Sequence, residues 1–194
     1  MHASELFLMQ QDFVTAGLHG VVLPGLTNDE MRQHPPDQNS VAWLVWHTAR
    51  WQDVIASSWI ADQPQVLDRQ SFTTRIDAPS RVVGTGMTFD EAAALSKRID
   101  VEAAITYWDA VVASTKGIVR DLTDDDLHRV VEEERRVTTE ADGTYRNPRA
   151  PWLDQFLAHK TIGWYLMFLP IHMSEHLVGE ALSVRGQIGR SAGA

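Results

Sequence analysis

Apolar residues recur at steps of three and four along most of this chain, and that spacing predicts helices. Leu6, Met9, Phe13 and Ala16 form a first stripe, with Ser4 placed to cap it and a fade near Gly20, before Pro24 and Gly25. Thr27 followed by Glu30 reads as a capping box for a short turn, and His34-Pro35-Pro36 must be extended. Ser40 opens a second helix to Ala61, with Trp43, Leu44, His47, Trp51, Val54 and Ile55 on one stripe. Residues 62–87 carry Pro64, Pro79, Gly84 and Gly86 and read as a long irregular connection, with room for a short strand or turn. Thr88 and Glu91 make another capping box. It starts a third helix running to about Val119, with Leu95, Val101, Ile105, Trp108 and Val112 inward.

Asp121 to Gly143 is charged. Thr123 before three aspartates predicts a short helical turn, and a loop follows, with a strand pair placed around Arg136 to Tyr145. Trp152 to about Val184 forms the last helical region, ending before Gly186. Pro170 lies inside it and must kink or restart the helix, because proline lacks the N–H and clashes with the preceding turn. Four long helical segments with no convincing buried strand predict an all-α four-helix bundle. The long links allow crossover connections.

A length of 194 residues fits one domain, 1–194, large enough to bury a real core. Apolar residues make up 44% and charged residues 22%, an ordinary globular balance. The net charge of −9 argues against a nucleic-acid binder or a protein lying on anionic lipid, since both need a basic face. Cysteine is absent, which removes disulfides, thiolate metal sites and cysteine nucleophiles. Any metal must therefore sit on imidazole, carboxylate or water, and a cytoplasmic setting is expected. MHASELFLMQQD lacks the basic start and unbroken apolar run of a signal peptide, and Ile162 to Met173 is too short to span a bilayer.

Chemistry concentrates in the histidines. His172 and His176 are one helical turn apart, so both rings leave the same face. They sit among Leu169, Ile171, Leu177 and Val178. Two neutral imidazoles in a core each need a partner and two protonated ones repel; a shared cation solves both problems. The plain alternative is two core or surface histidines that happen to be four apart. Glu180 lies eight residues beyond His172, about 12 Å along a helix, too far to share an ion easily. His159 faces elsewhere, roughly 220° round an unbroken helix. His47, mid-stripe between Trp43 and Trp51, is the better third ligand, although a lone histidine on an apolar face is ordinarily a satisfied core residue. Three histidines from two facing helices would leave a coordination position open, the pattern of a catalytic site. His2, His19, His34 and His128 read as solvated.

His172-Met173-Ser174-Glu175-His176 also fits the inverted zinc-protease pattern H-x-x-E-H, in which Glu175 would be the base. Only eighteen residues follow His176, too few for that class's distant third ligand. Glu175 stays as a candidate base or supporting carboxylate, against a plain reading as a surface ion-pair partner. The Glu-x-x-His pairs of di-iron bundles are missing, as are a phosphate-binding glycine loop and a G-x-S-x-G elbow. The seven tryptophans mostly fall at core spacing.

Val41-Ala42-Trp43-Leu44-Val45-Trp46-His47-Thr48-Ala49-Arg50 and His172-Met173-Ser174-Glu175-His176-Leu177-Val178-Gly179-Glu180, closing with Arg185-Gly186, resemble the DinB/YfiT-like superfamily. That group includes the metal-binding domain of mycothiol-dependent maleylpyruvate isomerase. The shared order is one histidine, a long interval, then HxxxH. Helix order matches over the whole chain, while the specific matches are confined to these two segments. Pro170 and the long stretch 121–150 depart from the plainest members. The resemblance implies a four-helix bundle of DinB/YfiT type, one zinc or nickel ion on His47, His172 and His176, and a homodimer. It also implies a thiol-dependent S-transferase or isomerase that uses mycothiol, bacillithiol or glutathione against an electrophilic substrate. A hydrolase using metal-activated water, and a non-catalytic metal-binding stress-response protein, remain as alternatives.

Overall fold

The computed structural model describes residues 2–78, 81–145 and 147–191; Pro79 lies outside them. Among the described residues helices are the main secondary structure. A single antiparallel bridge, Val130 to Thr161, stands in place of any strand.

Helix α1 spans Ala3–Gly17 and runs on as a π-helical turn, Leu18–Val22. The short α2, Asn28–Met31, starts at the Thr27–Glu30 capping box. Ser40 caps α3, Val41–Asp53, by accepting from the Trp43 amide, and α3 continues as a π-helical stretch, Val54–Ile60. Two short helices, α4 (Val66–Arg69) and α5 (Phe72–Arg75), break up the connection that follows.

The third predicted helix is in fact two, α6 (Phe89–Arg98) and α7 (Val101–Arg120). Ile99 leaves helical geometry with ψ 125, and the Asp100 carboxylate accepts from the Ala103 amide to restart the chain. After α8, Asp124–His128, the segment expected as a loop and strand pair forms a helix instead, α9, Glu133–Ala141. Long-range bonds hold it: the buried Trp59 indole donates to Thr139 Oγ1 at 2.6 Å, and Arg136 donates to Tyr145 Oη at 2.8 Å.

The last region also divides. Helix α10 covers Trp152–Leu157, and the chain then turns at exposed His159, with φ 58. Thr161 caps α11, Ile162–Leu166, which passes through a π-helical stretch, Met167–Met173, into α12, Ser174–Gln187. Pro170 neither ends nor restarts this rod. The wider π turn makes room for a residue without an N–H. The stop comes at Gly189, with φ 78, rather than before Gly186.

The longest runs, 3–22, 41–60, 101–120 and 162–187, pack on one another with α3 in the middle. Of residues 41–60, only His47 and Ser58 are not buried, so the helix expected to bury one stripe is enclosed all round. Its fully buried Trp46 and Trp59 each contribute on the order of 3–5 kcal/mol, the usual cost of truncating such a side chain to alanine.

Helix α1 reverses the expectation about its face. Phe7, Gln11, Val14 and Leu18 are buried, whereas Leu6, Met9 and Phe13 are 44%, 60% and 74% exposed. Gln11 is enclosed because the Gln52 amide donates to its Oε1 at 3.2 Å and also to Thr115 Oγ1 at 3.0 Å.

Burial inside α3 is polar as well as apolar. Arg50 and Asp53 are both fully buried. The Asp53 carboxylate accepts from Ser57 Oγ and the Val66 amide at 2.8 and 2.9 Å, and from the Leu67 amide and Tyr107 Oη at 2.9 and 2.7 Å. Arg50 donates to Gln65 Oε1, Tyr107 Oη and the Arg81 carbonyl. Burial raises the Tyr107 phenol well above its usual range, so it stays a donor to Asp53. This knot fastens Gln65, Val66, Leu67 and Arg81 to α3.

Candidate functional site

His47 projects from the first half of α3, stacked on Trp43 one turn earlier with ring centroids 4.3 Å apart and planes 15° apart. Its Nδ1–H donates to the Val83 carbonyl at 2.5 Å. A carbonyl only accepts, so the proton belongs on Nδ1 and Nε2 keeps its lone pair. The residue retains some open surface toward a cleft, yet enough of the ring is enclosed that burial pulls its pKa down to about 4. At neutral pH the imidazole is uncharged, as a metal ligand must be.

The cleft holds about 570 Å³ and is walled by Trp43, Met87 and Phe89, with Asn39, Gly84 and Thr85 between them. Buried Trp43 also has an indole N–H without a partner among the described residues. Neither the cleft nor the segment that forms it was legible from periodicity. The available signal was the pair Gly84 and Gly86, which marks a tight passage of backbone.

His172 and His176 lie on the last rod, His172 within its π-helical stretch. Their rings meet edge-on, 4.5 Å apart. Both are exposed, as is Glu175, which makes no ion pair among the described residues. Phe168 packs against His172 at 5.7 Å and stacks on Trp164 at 4.8 Å, so an aromatic row leads up to the pair.

Register relates the pair to His47. The α3 rod and the last rod run antiparallel. Gln38 donates to Ser183 Oγ and Asn39 to Glu180 at one end, and 54–60 contacts 162–166 at the other. Eight residues onward from Asn39 is His47, and eight residues back from Glu180 is His172. Counted likewise from Gln38 and Ser183, His47 falls opposite residue 174, so the backbones set it near the level of residues 172–174. The side chains do not close a triad as they stand: among the described residues no three His, Asp or Glu side chains are grouped to hold a metal ion. The donor chemistry fits a divalent transition ion, three neutral-capable imidazoles with one held as the correct tautomer. The cleft onto which His47 opens is lined by neither His172 nor His176, so the three rings would have to move together to share an ion.

The other candidates fall away. Glu180 bonds Asn39, and His159 is exposed at the chain turn. His2, His19 and His128 are exposed, and His19 Nε2 pairs with Asp109 at 2.7 Å. His34 departs from its solvated reading. It is half-buried against Phe89, and its Nε2 is enclosed without a partner among the described residues.

No helix among the described residues is long and apolar enough to cross a membrane. The crystal structure of a conserved protein from Enterococcus faecalis is similar to this chain, with a TM-score of 0.74 and 22% identity. The match covers 98% of this chain and 99% of that one. At that identity the likeness speaks for the fold alone. No functionally curated protein matches the sequence. The profile of the DinB superfamily matches residues 21–177, a span that holds α3 with His47, the cleft, and the His172–His176 pair. By its sequence over that span and by the helical fold that carries it, this chain belongs to the DinB superfamily.

Proposed function

We propose that the protein is a metal-dependent enzyme that joins a low-molecular-weight thiol to an electrophilic substrate, as an S-transferase or isomerase. Mycothiol, bacillithiol and glutathione are the candidate thiols. His47, His172 and His176 would hold one divalent ion, zinc or nickel. Such an ion, when bound, supplies acidity to a ligated thiol, giving a thiolate near neutral pH.

The observation that carries this reading is the state of His47. It is a neutral imidazole with its Nδ1 proton committed to Val83, on a helix packed antiparallel to the rod that carries His172 and His176. A core histidine with no further role has no need of a free Nε2 beside an open cleft. The chain's own residues divide the remaining work. Trp43, Met87 and Phe89 form an apolar wall that excludes water from an electrophile, and Asn39 and Thr85 offer polar groups to orient it. Glu175, exposed beside His176, is the candidate proton acceptor.

Thiol loss with chlorodinitrobenzene, followed for stripped protein and for protein reloaded with zinc or nickel, tests the reading. Turnover that needs both metal and thiol is expected, and it should fall in His47→Ala and in Glu175→Gln. Metal-dependent turnover without thiol would instead indicate a hydrolase, and absence of turnover with every thiol tried would contradict an enzymatic role.

A further inference from the structure

Segment 81–85 is fastened to α3 at Arg81, Val83 and Thr85. Arg50 Nη2 donates to the Arg81 carbonyl at 2.6 Å, His47 Nδ1 to the Val83 carbonyl at 2.5 Å, and Trp51 Nε1 to Thr85 Oγ1 at 2.9 Å. Two backbone carbonyls and one side-chain hydroxyl of this segment are thus held by α3 side chains. From the other side the Val83 amide donates to the Thr144 carbonyl at 2.8 Å.

Gly84 allows the approach. Its φ is +93, a region that side-chain-bearing residues rarely adopt. A Cβ there would lie 2.7 Å from Trp46 Cζ3 and 3.2 Å from both His47 Nδ1 and Trp43 Cζ2. Trp46 is fully buried and cannot swing away, so the backbone would have to retreat. Val83, the neighbour that holds His47, would retreat with it. Arg50 in turn cannot drift, because Gln65 and Tyr107 hold its guanidinium.

We propose that segment 81–85 is a clamp that fixes the tautomer and direction of His47, with Gly84 and Arg50 as positioning residues. Gly84 sets how close the Val83 carbonyl comes to the ring, and Arg50 sets where the segment lies along the helix. The clamp holds the proton on Nδ1 and presents Nε2 to a ligand. Its consequence for metal affinity rests on the reading of His47 as a ligand; its effect on the tautomer does not.

Long-range proton–nitrogen NMR of the metal-free protein reads the tautomer, and competition with a chromophoric chelator for Zn²⁺ reads affinity. The wild-type protein should show His47 protonated on Nδ1 alone. Gly84→Ala, at a temperature where circular dichroism shows it folded, should show a mixed tautomer and bind zinc about 10- to 100-fold more weakly, the usual effect of losing such an outer hydrogen bond. Adding Trp46→Leu removes the nearest obstruction but not the strain of φ +93 or the contacts with His47 and Trp43, so the tautomer should stay mixed in the double variant. A wild-type His47 protonated on Nε2 overturns the clamp whether or not any variant folds. So does a folded Gly84→Ala protein with unchanged tautomer and affinity. His47→Ala separates the two ideas. If it leaves zinc affinity unchanged while Gly84→Ala still disturbs the tautomer, the metal reading fails and the clamp stands. If it abolishes tight binding while Gly84→Ala changes nothing, the clamp alone fails.

Discussion

Replacing Asp53 with asparagine changes one oxygen to an NH₂ and leaves volume untouched, so its cost measures the buried polar knot by itself. The carboxylate accepts four hydrogen bonds, two on each oxygen, and lies 3.7 Å from the Arg50 guanidinium. An amide keeps one acceptor oxygen and turns two donors against whichever pair of donors it faces. Ser57 and Val66 lose their acceptor in one orientation, Leu67 and Tyr107 in the other. Arg50, fully buried, also loses its counter-charge. Removing one partner of a buried ion pair costs roughly 3–5 kcal/mol, a large share of the whole stability of an ordinary domain. For a chain of this length that loss lowers the melting temperature by roughly 6–20 °C. Ser57→Ala is the reference. It removes one of the four donors and leaves the charge satisfied, at about 1 kcal/mol. Calorimetry on the two variants beside wild type decides the matter. An Asp53→Asn shift no larger than that of Ser57→Ala would refute the argument that these donors and Arg50 depend on the carboxylate.

Further expectations concern α1 and pH. Phe13→Ser should change stability by less than about 0.5 kcal/mol, because the side chain is 74% exposed, whereas Phe7→Ala, at 4% exposed, should cost roughly 3–5 kcal/mol in urea unfolding; the reverse order would mean that α1 packs by its other stripe. In the metal-free protein His47 is held at about 4 against an ordinary 6.5, so the unfolded chain takes up that proton first as pH falls. Its contribution is whole above about 6.5, declines between there and 4, and amounts to about 3 kcal/mol. Urea unfolding at pH 7 and pH 4.5 should therefore show a smaller loss for His47→Gln than for wild type.

Most elements opened by capping signals were legible because a cap is a local fact, although α1 starts from His2 with Ser4 inside it. Thr27, Ser40, Thr88 and Thr123 each accept from the amide three residues on. The faces were harder. On α1 two stripes offset by one residue both have helical spacing, and the more apolar one is outside. Which one turns inward depends on Gln52 and Thr115 meeting Gln11, and those residues are distant in sequence. Asp100 was hidden inside a continuing apolar pattern, although the same chemistry that marks Thr88 marks it. Helix α9 forms from charged sequence because Trp59 and Tyr145 reach it from outside, which no window of local pattern contains. At the site the histidines were visible by spacing, since one helical turn relates His172 to His176. The groups that orient His47 were not. Val83 contributes a backbone carbonyl, which has no signature in side-chain chemistry, and Gly84 contributes the absence of a side chain.

Everything proposed for the site requires that three rings from two antiparallel helices share one ion. A crystal structure of zinc-loaded protein, with anomalous data at the zinc edge, tests it most directly. One peak is predicted, with Nε2 of His47 and a nitrogen each from His172 and His176 at about 2.0–2.1 Å, and the Val83 carbonyl still bonded to Nδ1 of His47. An ion held by His172 and His176 without His47, or no bound ion at all, would contradict it.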